Sequence, residues 1–174
     1  MDIPSDSRYG TRGLPHITIF VFLIMIFPDF HTQHVFIADD DEDDRLLFQE
    51  VVRELPYLVH LSIARDGEET LEALKKMDQL PDVLFLDLNM PIKNGIECLS
   101  EIKQNAKLKL LPVVIFSTSS YPSNIDKVYE GGAHLYIRKP NDFFSFKKSI
   151  QYVFAINWKE KFAPPPRAEF VLTV

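Results

Sequence analysis

Cysteine is almost absent from this sequence, which holds one, Cys98, in 174 residues. A single cysteine excludes an internal disulfide framework, and the composition fits a reducing cytosol. Because no histidine or basic residue adjoins it in the sequence, we interpret Cys98 as a buried small hydrophobic residue. The histidines show no ligand spacing, which argues against a zinc site. They are His16, His31, His34, His60 and His134.

Clustered basic charge is also missing. The formal net charge is −6 and the pI is about 5.3. The lysines at 103–109 and 147–161 are spaced like the exposed faces of helices. Proteins that bind nucleic acid usually carry a basic face. We therefore do not expect nucleic acid among the partners.

No apolar run is long enough to span a bilayer. The run at 19–27 has nine residues and ends at Pro28, whereas a membrane-spanning helix needs about 20. It has the length of a signal-peptide core, and Arg8 and Arg12 precede it, but no A-x-A cleavage pattern follows. Three interpretations of residues 1–33 stay open: a signal or anchor, a disordered or mis-started extension, and a segment packed on the domain surface.

Residues 34–158 alternate between short apolar runs and stretches of helical spacing. The runs that predict strands are 35–38, 60–64, 83–86, 113–116 and 135–137. The stretches that predict helices are 41–55, 67–77, 95–106, 123–130 and 141–158. This order predicts an α/β domain whose parallel sheet carries helices on both faces. The uninterrupted apolar runs are typical of central strands.

Reactive side chains follow the ends of the predicted strands. Asp39 and Asp40 follow the first strand, Asp87 follows the third, Ser117 ends the fourth, and Lys139 follows the fifth. Ligands of open α/β sheets bind outside the carboxyl ends of the strands. The sequence therefore predicts that these residues share one site.

The chemistry of that set favours phosphoryl transfer. Two carboxylates 4 Å apart repel by about 4 kcal/mol at an effective dielectric near 20, and a hard divalent cation such as Mg²⁺ relieves the repulsion. A cation and a nearby lysine can neutralise the charge that spreads over a transferring phosphoryl group. A carboxylate can then act as the nucleophile and become an aspartyl phosphate.

The motifs together resemble a two-component response-regulator receiver domain. The resemblance rests on residues 35–40, 86–91 with Gly95, 112–117 and 136–140, and it covers 34–158. It implies a flavodoxin-like (βα)5 fold, a doubly wound parallel sheet with strand order 2-1-3-4-5. It also implies a stand-alone, CheY-like protein.

The resemblance implies a role for each acidic residue. Asp87 is the expected phosphoacceptor. Asp40 and Asp87 are expected to bind Mg²⁺ or Mn²⁺ directly, together with the backbone carbonyl of Asn89. Asp39 is expected to act on the metal largely through water.

The other implied residues bind the phosphoryl group or report it. Ser117 and Lys139 are expected to bind phosphoryl oxygens, and the Lys139–Pro140 peptide is expected to be cis. Ser117 and Tyr136 are the expected switch residues, with Tyr136 turning inward on phosphorylation. The change would alter the face made by the fourth helix, fifth strand and fifth helix.

The resulting functional prediction is a cytoplasmic single-domain response regulator. It would take its phosphoryl group from a histidine kinase or a histidine phosphotransfer protein and signal by contact with a downstream protein. We expect self-phosphorylation and slow autodephosphorylation rather than enzymatic turnover. We expect a monomer or a weak homodimer.

The acidic run at 39–44 leaves the register of the metal-binding pair open. We choose Asp39 and Asp40 because the apolar strand ends at Ala38, and we interpret Asp41, Asp43 and Asp44 as acids of a helix cap and first turn. A calcium loop is the other interpretation of this run. It requires glycine at the position of Asp44.

Two other functions remain open. A phosphatase of the haloacid-dehalogenase type also places an aspartate nucleophile after a buried strand, but it needs a second aspartate where this chain has Asn89. A phosphorylation-independent interaction module would keep the same fold without the chemistry.

Residues 159–174 form a proline-containing tail. The consecutive prolines at 164–166 stop any helix and favour an extended spacer. The last residues, 169–174, are apolar enough to dock on a surface. The tail is too short for an output domain, and docking on its own domain or on a partner both stay open.

Overall fold

The computed structural model describes residues 32–160 and 163–173. The three interpretations of residues 1–33 fall almost entirely on residues 1–31, which lie outside the described part of the chain, while Gln33 already belongs to the first strand. Across the two described ranges, no helix combines the length and the apolar character needed to cross a membrane.

One parallel sheet of six strands organises the fold. The strands are β1 (Gln33–Ala38), β2 (Val59–Ala64), β3 (Val83–Leu86), β4 (Val113–Ser117), β5 (Leu135–Arg138) and β6 (Val171–Leu172). Their order is β2-β1-β3-β4-β5-β6. The predicted flavodoxin-like order is confirmed for the first five strands. The sixth strand comes from the tail and was not predicted.

Five helices connect the strands. They are α1 (Glu42–Glu54), α2 (Gly67–Lys76), α3 (Gly95–Gln104), α4 (Pro122–Glu130) and α5 (Phe143–Phe154), and two 3-10 turns follow at Trp158–Glu160 and Arg167–Glu169. Four helices begin at an Asp or Asn whose side chain accepts hydrogen bonds from the first-turn amides. These caps are Asp41, Asp66, Asn94 and Asp142. The fourth helix instead begins with Pro122, whose fixed φ suits the first turn.

The core has two layers because alternate strand residues point to opposite faces of the sheet. Helices α1 and α5 cover one face, and α2, α3 and α4 cover the other. On the α1/α5 face, four phenylalanines pack edge to face, with successive ring centroids 4.8, 5.9 and 5.1 Å apart. They are Phe48, Phe85, Phe116 and Phe146. On the other face Cys98 is fully buried, and burial raises the pKa of its thiol to about 12.

The tail completes the sheet at its β5 edge. Strand β6 pairs in parallel with β5, Val171 opposite Tyr136 and Leu172 opposite Ile137. The preceding Phe170 is fully buried in the core layer under α4. In this structure the tail therefore lies on its own domain, and the sheet continues past the predicted boundary at residue 158.

Candidate functional site

Backbone hydrogen bonds hold the predicted site residues where the strands end. The Asp39 amide donates to the carbonyl oxygen of Ala64 (3.1 Å), the Asp87 amide to that of Ala38 (2.9 Å), and the Lys139 amide to that of Ser117 (3.0 Å). Each bond extends the ladder between neighbouring strands by one step. The residues after β1, β3 and β5 are thus brought together at the carboxyl edge of the sheet, where the parallel strands end.

Three carboxylates meet at this edge. One oxygen from each of Asp39, Asp40 and Asp87 lies within 4.8 Å of the others. Asp39 and Asp87 are buried, with 1% and 5% of their surface exposed, while Asp40 is exposed. Two buried acids and one open to solvent make a cluster that a hard cation can reach from outside.

A buried lysine lies among these acids. Lys139 Nζ is 2.7 Å from Asp39 Oδ2, 2.6 Å from Asp44 Oδ2 and 3.9 Å from Asp87 Oδ1. Burial lowers the pKa of Lys139, but the carboxylates of Asp87, Asp39 and Asp44 outweigh it, and the net effect raises that pKa. The lysine is therefore a permanent cation at neutral pH.

Burial has the opposite effect on the pKa of Asp39, because it disfavours the charged form of each group. Loss of solvent raises the pKa of its carboxyl to about 6, although the charge of Lys139 and its hydrogen bond work against that rise. The neighbouring charge of Asp87 raises it further. Four acids, Asp39, Asp40, Asp44 and Asp87, surround the one lysine, so the site carries a surplus of acidic groups.

The two carboxylate oxygens of Asp87 differ in their hydrogen bonding. Its Oδ2 accepts a hydrogen bond from the backbone amide of Asn89 at 3.0 Å. Its Oδ1 is buried and has no hydrogen-bond partner among the described residues. An unsatisfied buried acceptor costs roughly 1–3 kcal/mol, and more when it is charged. Such an oxygen atom can bind a cation or attack an electrophile.

A cleft of about 500 Å³ opens over Asp87. It is lined by Asp39, Asp40, Asp41, Glu42, Asp44, Asp87, Asn89, Thr118 and Lys139. Thr118 lines this cleft, whereas Ser117 is fully buried at the end of β4 and its Oγ accepts a weak hydrogen bond from the Ser119 amide at 3.4 Å.

Asp44 is a site residue that the sequence analysis assigned only to a helix turn. The spacing places Asp44 on the same face of α1 as the buried Phe48, four residues later, but it gives no signal of the contact with Lys139. Asp41 does cap α1 as expected, accepting from the amides of Asp43 and Asp44.

The prediction of a cis peptide at Lys139–Pro140 is wrong for this structure. No cis peptide bond occurs among the described residues. The trans form is the lower-energy state before proline by about 0.5–1 kcal/mol. The contacts of Lys139 with Asp39 and Asp44 are made in that form.

Tyr136, the predicted switch residue, faces the core. Its side chain is 1% exposed, and its hydroxyl donates to the carbonyl oxygen of Ser119 at 2.7 Å. Burial raises the pKa of the phenol. The aromatic ring is therefore anchored to the loop that follows β4.

A glycine allows α3 to begin directly beneath the Asp87 loop. A Cβ atom at Gly95 would lie 2.1 Å from the Asp87 carbonyl oxygen and 2.8 Å from Leu88 Cα, both backbone atoms. The Gly95 amide also donates to the Leu88 carbonyl oxygen at 3.0 Å. Only glycine permits this approach.

Comparison with known proteins agrees with this geometry. The family model described as "Response regulator receiver domain" matches residues 35–151. The response regulator Rcp1 of Synechocystis sp. is 33% identical over 122 residues, which cover 67% of this chain and 83% of that protein. The two-component response regulator ORR3 of Oryza sativa subsp. indica is 32% identical over 107 residues, covering 62% of this chain and 79% of that protein.

Solved structures give the same result. The phosphorylated cyanobacterial phytochrome response regulator RcpA superposes with a TM-score of 0.70 at 28% identity, covering 78% of this chain and all of that one. The Mn²⁺-bound form of Rcp1 superposes with a TM-score of 0.67 at 30% identity, covering 76% of this chain and 99% of that one. This chain belongs to the response-regulator receiver-domain family of two-component signalling systems.

Proposed function

We propose that this protein accepts a phosphoryl group on Asp87, in a reaction that requires Mg²⁺ or Mn²⁺. The observation that carries the proposal is the state of Asp87 Oδ1. That atom is buried and lacks a hydrogen-bond partner among the described residues, and it lies 3.9 Å from Lys139 Nζ at the base of an acidic cleft. A phosphorylated donor could reach this carboxylate through the cleft.

The donor is a phosphohistidine of a sensor histidine kinase or of a histidine phosphotransfer protein. Asp87 Oδ1 forms a bond to phosphorus while the bond from phosphorus to the donor's imidazole nitrogen breaks. The imidazole leaves with that electron pair and takes up a proton from solvent. The family membership of the chain supports this choice of donor.

Asp39, Asp40, Asp87 and the Asn89 carbonyl would hold the metal. The donors are all hard oxygen atoms, and the acids outnumber the single lysine among them. The bound ion supplies positive charge that offsets the charge of the phosphoryl oxygens. The similar protein Rcp1 has been solved in a Mn²⁺-bound form, which supports a divalent cation here.

Lys139 and Ser117 would bind phosphoryl oxygens. Lys139 Nζ contacts Asp39 and Asp44 and lies 3.9 Å from Asp87 Oδ1. A phosphoryl group on Asp87 would offer it a stronger, more highly charged acceptor. Ser117 ends the strand next to β3 and reaches the same edge of the sheet. Among the described residues, its hydroxyl oxygen has the weak contact with the Ser119 amide as its hydrogen bond.

Signalling would proceed through contact with a downstream protein rather than through turnover. Asn89 stands where a phosphatase of this geometry needs a general acid, so we propose a switch that hydrolyses its own phosphoaspartate slowly. We place the protein in the cytoplasm, where donors charged by ATP are found. Tyr136 would carry the change outward, because its hydroxyl binds the loop after Ser117.

Intact-mass measurement with acetyl phosphate tests the proposal. We expect the wild-type protein to gain one phosphoryl group with Mg²⁺, and to gain none in EDTA. Asp87→Asn, which keeps the shape of the side chain, should gain none in either buffer. A gain of equal size in Asp87→Asn would refute the assignment of the acceptor.

A further inference from the structure

The tail residues 163–173 are tied to the backbone of β5 at Tyr136. The Tyr136 amide donates to the Phe170 carbonyl oxygen at 2.8 Å, and Val171 and Leu172 then continue as β6. Phe170 itself is fully buried. The tail is therefore part of the folded domain at the position of the predicted switch residue.

The same segment is fastened to α4. Arg167 forms an ion pair with Asp126 at 2.6 Å, and its guanidinium carbon lies 5.7 Å from the centroid of the Tyr129 ring. The Tyr129 hydroxyl donates to the Pro165 carbonyl oxygen at 3.3 Å, and the Tyr129 and Phe170 rings are 5.0 Å apart. Charged, aromatic and backbone contacts thus hold the tail against both α4 and β5.

A chain of direct contacts leads from this tail to the end of β4. The rings of Phe170 and Tyr136 have centroids 6.3 Å apart. The Tyr136 hydroxyl donates to the Ser119 carbonyl oxygen, and the Ser119 amide donates to Ser117 Oγ. Ser117 is the hydroxyl that would bind a phosphoryl group on Asp87.

We propose that Phe170 is a positioning residue, which holds Tyr136 in its buried orientation and so favours the conformation that phosphorylation of Asp87 also favours. Phe170 directly precedes the edge strand β6, lies in the same core layer as Tyr136, and has its ring centroid 6.3 Å from that of Tyr136. A Tyr136 ring that moved toward that strand would displace Phe170 from the core.

This inference rests on the proposed function. Thermodynamic linkage then predicts the sign of the effect that the tail and the phosphorylated site have on each other. If the docked tail and the phosphorylated site favour the same orientation of Tyr136, each must stabilise the other by the same factor. Because we propose that Asp87 is phosphorylated from the conformation in which Tyr136 is buried, loss of Phe170 lowers the population of that conformation and so slows phosphorylation. Phosphorylation in turn tightens the docking of the tail. A purely structural Phe170 would change stability without either effect.

The β6 strand provides a matched control. Leu172 lies two residues from Phe170 in the same tail, but it packs on the opposite core layer, which does not include Tyr136. Leu172→Ala therefore also weakens the tail's packing while leaving the Tyr136 contact in place. Phe170→Leu restores most of the lost volume and should rescue most of the effect.

The experiment measures the rate of phosphorylation by acetyl phosphate in Mg²⁺ for folded wild type, Phe170→Ala, Phe170→Leu and Leu172→Ala. We expect Phe170→Ala to be slower by a factor between about 5 and 150, because the rate follows the population of the reactive conformation and this is the usual range of equilibrium coupling between two sites. Leu172→Ala should stay within about twofold of wild type, a change small beside that range. Equal rates for Phe170→Ala and Leu172→Ala would overturn the inference.

Arg167→Ala supplies a second test, because it removes the ion pair with Asp126 and the cation–ring contacts with Tyr129 and Phe170 but leaves the buried side chains in place. It should slow phosphorylation by a smaller factor than Phe170→Ala. In the wild type, amide exchange at 170–172 should slow when Asp87 is phosphorylated, and unchanged exchange would also overturn the inference. If the wild type gains no phosphoryl group, the proposed function itself fails and this inference fails with it.

Discussion

Replacing Lys139 by methionine should cost about 3–5 kcal/mol of unfolding free energy in metal-free buffer. Its Nζ lies 2.7 Å from Asp39 Oδ2, and the two side chains are 6% and 2% exposed. Removing one partner of a buried ion pair leaves an uncompensated buried charge, which typically costs that amount. The nearby Asp87 carboxylate adds to the repulsion that remains.

A metal should recover part of that loss. Mg²⁺ at 100 times its dissociation constant stabilises a folded protein by about 2.7 kcal/mol. Without the competing ammonium, the carboxylates of Lys139→Met should bind Mg²⁺ more tightly than those of the wild type. Mg²⁺ should therefore stabilise the variant more than it stabilises the wild type.

Urea denaturation with EDTA and with Mg²⁺ provides the assay. Lys147→Met is the matched control, because Lys147 pairs with Glu54 at 2.6 Å while the two side chains are 27% and 45% exposed. An exposed pair of this kind contributes only about 0–1 kcal/mol. A Lys139→Met loss no larger than the control's would refute the reasoning, as would equal stabilisation of variant and wild type by Mg²⁺.

Three further predictions concern the stability of the fold at Gly95, Asn94 and Lys103. Gly95→Ala forces a Cβ against the Asp87 backbone, so it should lower the unfolding free energy by about 1–3 kcal/mol; an unchanged urea midpoint would contradict this. Asn94→Ala removes the capping box of α3 and should lower the free energy of unfolding by about 1 kcal/mol, as measured by thermal unfolding. An unchanged free energy of unfolding would contradict this prediction. Burial lowers the pKa of Lys103 to about 8. Between that value and its unfolded pKa, about 10.4, the unfolded chain holds a proton that the folded state has lost, so stability relative to Lys103→Met should rise with pH. Parallel stability profiles of the two proteins from pH 7.5 to 10.5 would count against it.

The sheet and most of the site were predictable because their signals are local. Strands β3 and β4 are buried on both faces, so they appear in the sequence as unbroken apolar runs. The residue after each strand then lies at one common edge. That geometry brought Asp39, Asp40, Asp87 and Lys139 together without any knowledge of side-chain contacts.

The features that escaped prediction depend on contacts between distant parts of the chain. Strand β6 has two residues and follows a run of prolines, and its pairing with β5 has no local signature. Asp44 reads as a helix acid until Lys139 is placed 2.6 Å away. The isomer of Lys139–Pro140 depends on a difference of about 0.5–1 kcal/mol, which residue types alone do not decide.

The identity of the phosphorylated residue tests the central claim most directly. Borohydride reduces an aspartyl phosphate to homoserine, so tandem mass spectrometry of the phosphorylated and reduced protein can locate the acceptor. We predict homoserine at Asp87 and at no other position, because Asp87 Oδ1 is buried beside Lys139 and has no hydrogen-bond partner in the described part of the chain. Homoserine at Asp39 or Asp40, or a phosphoryl group retained on histidine, would contradict the account.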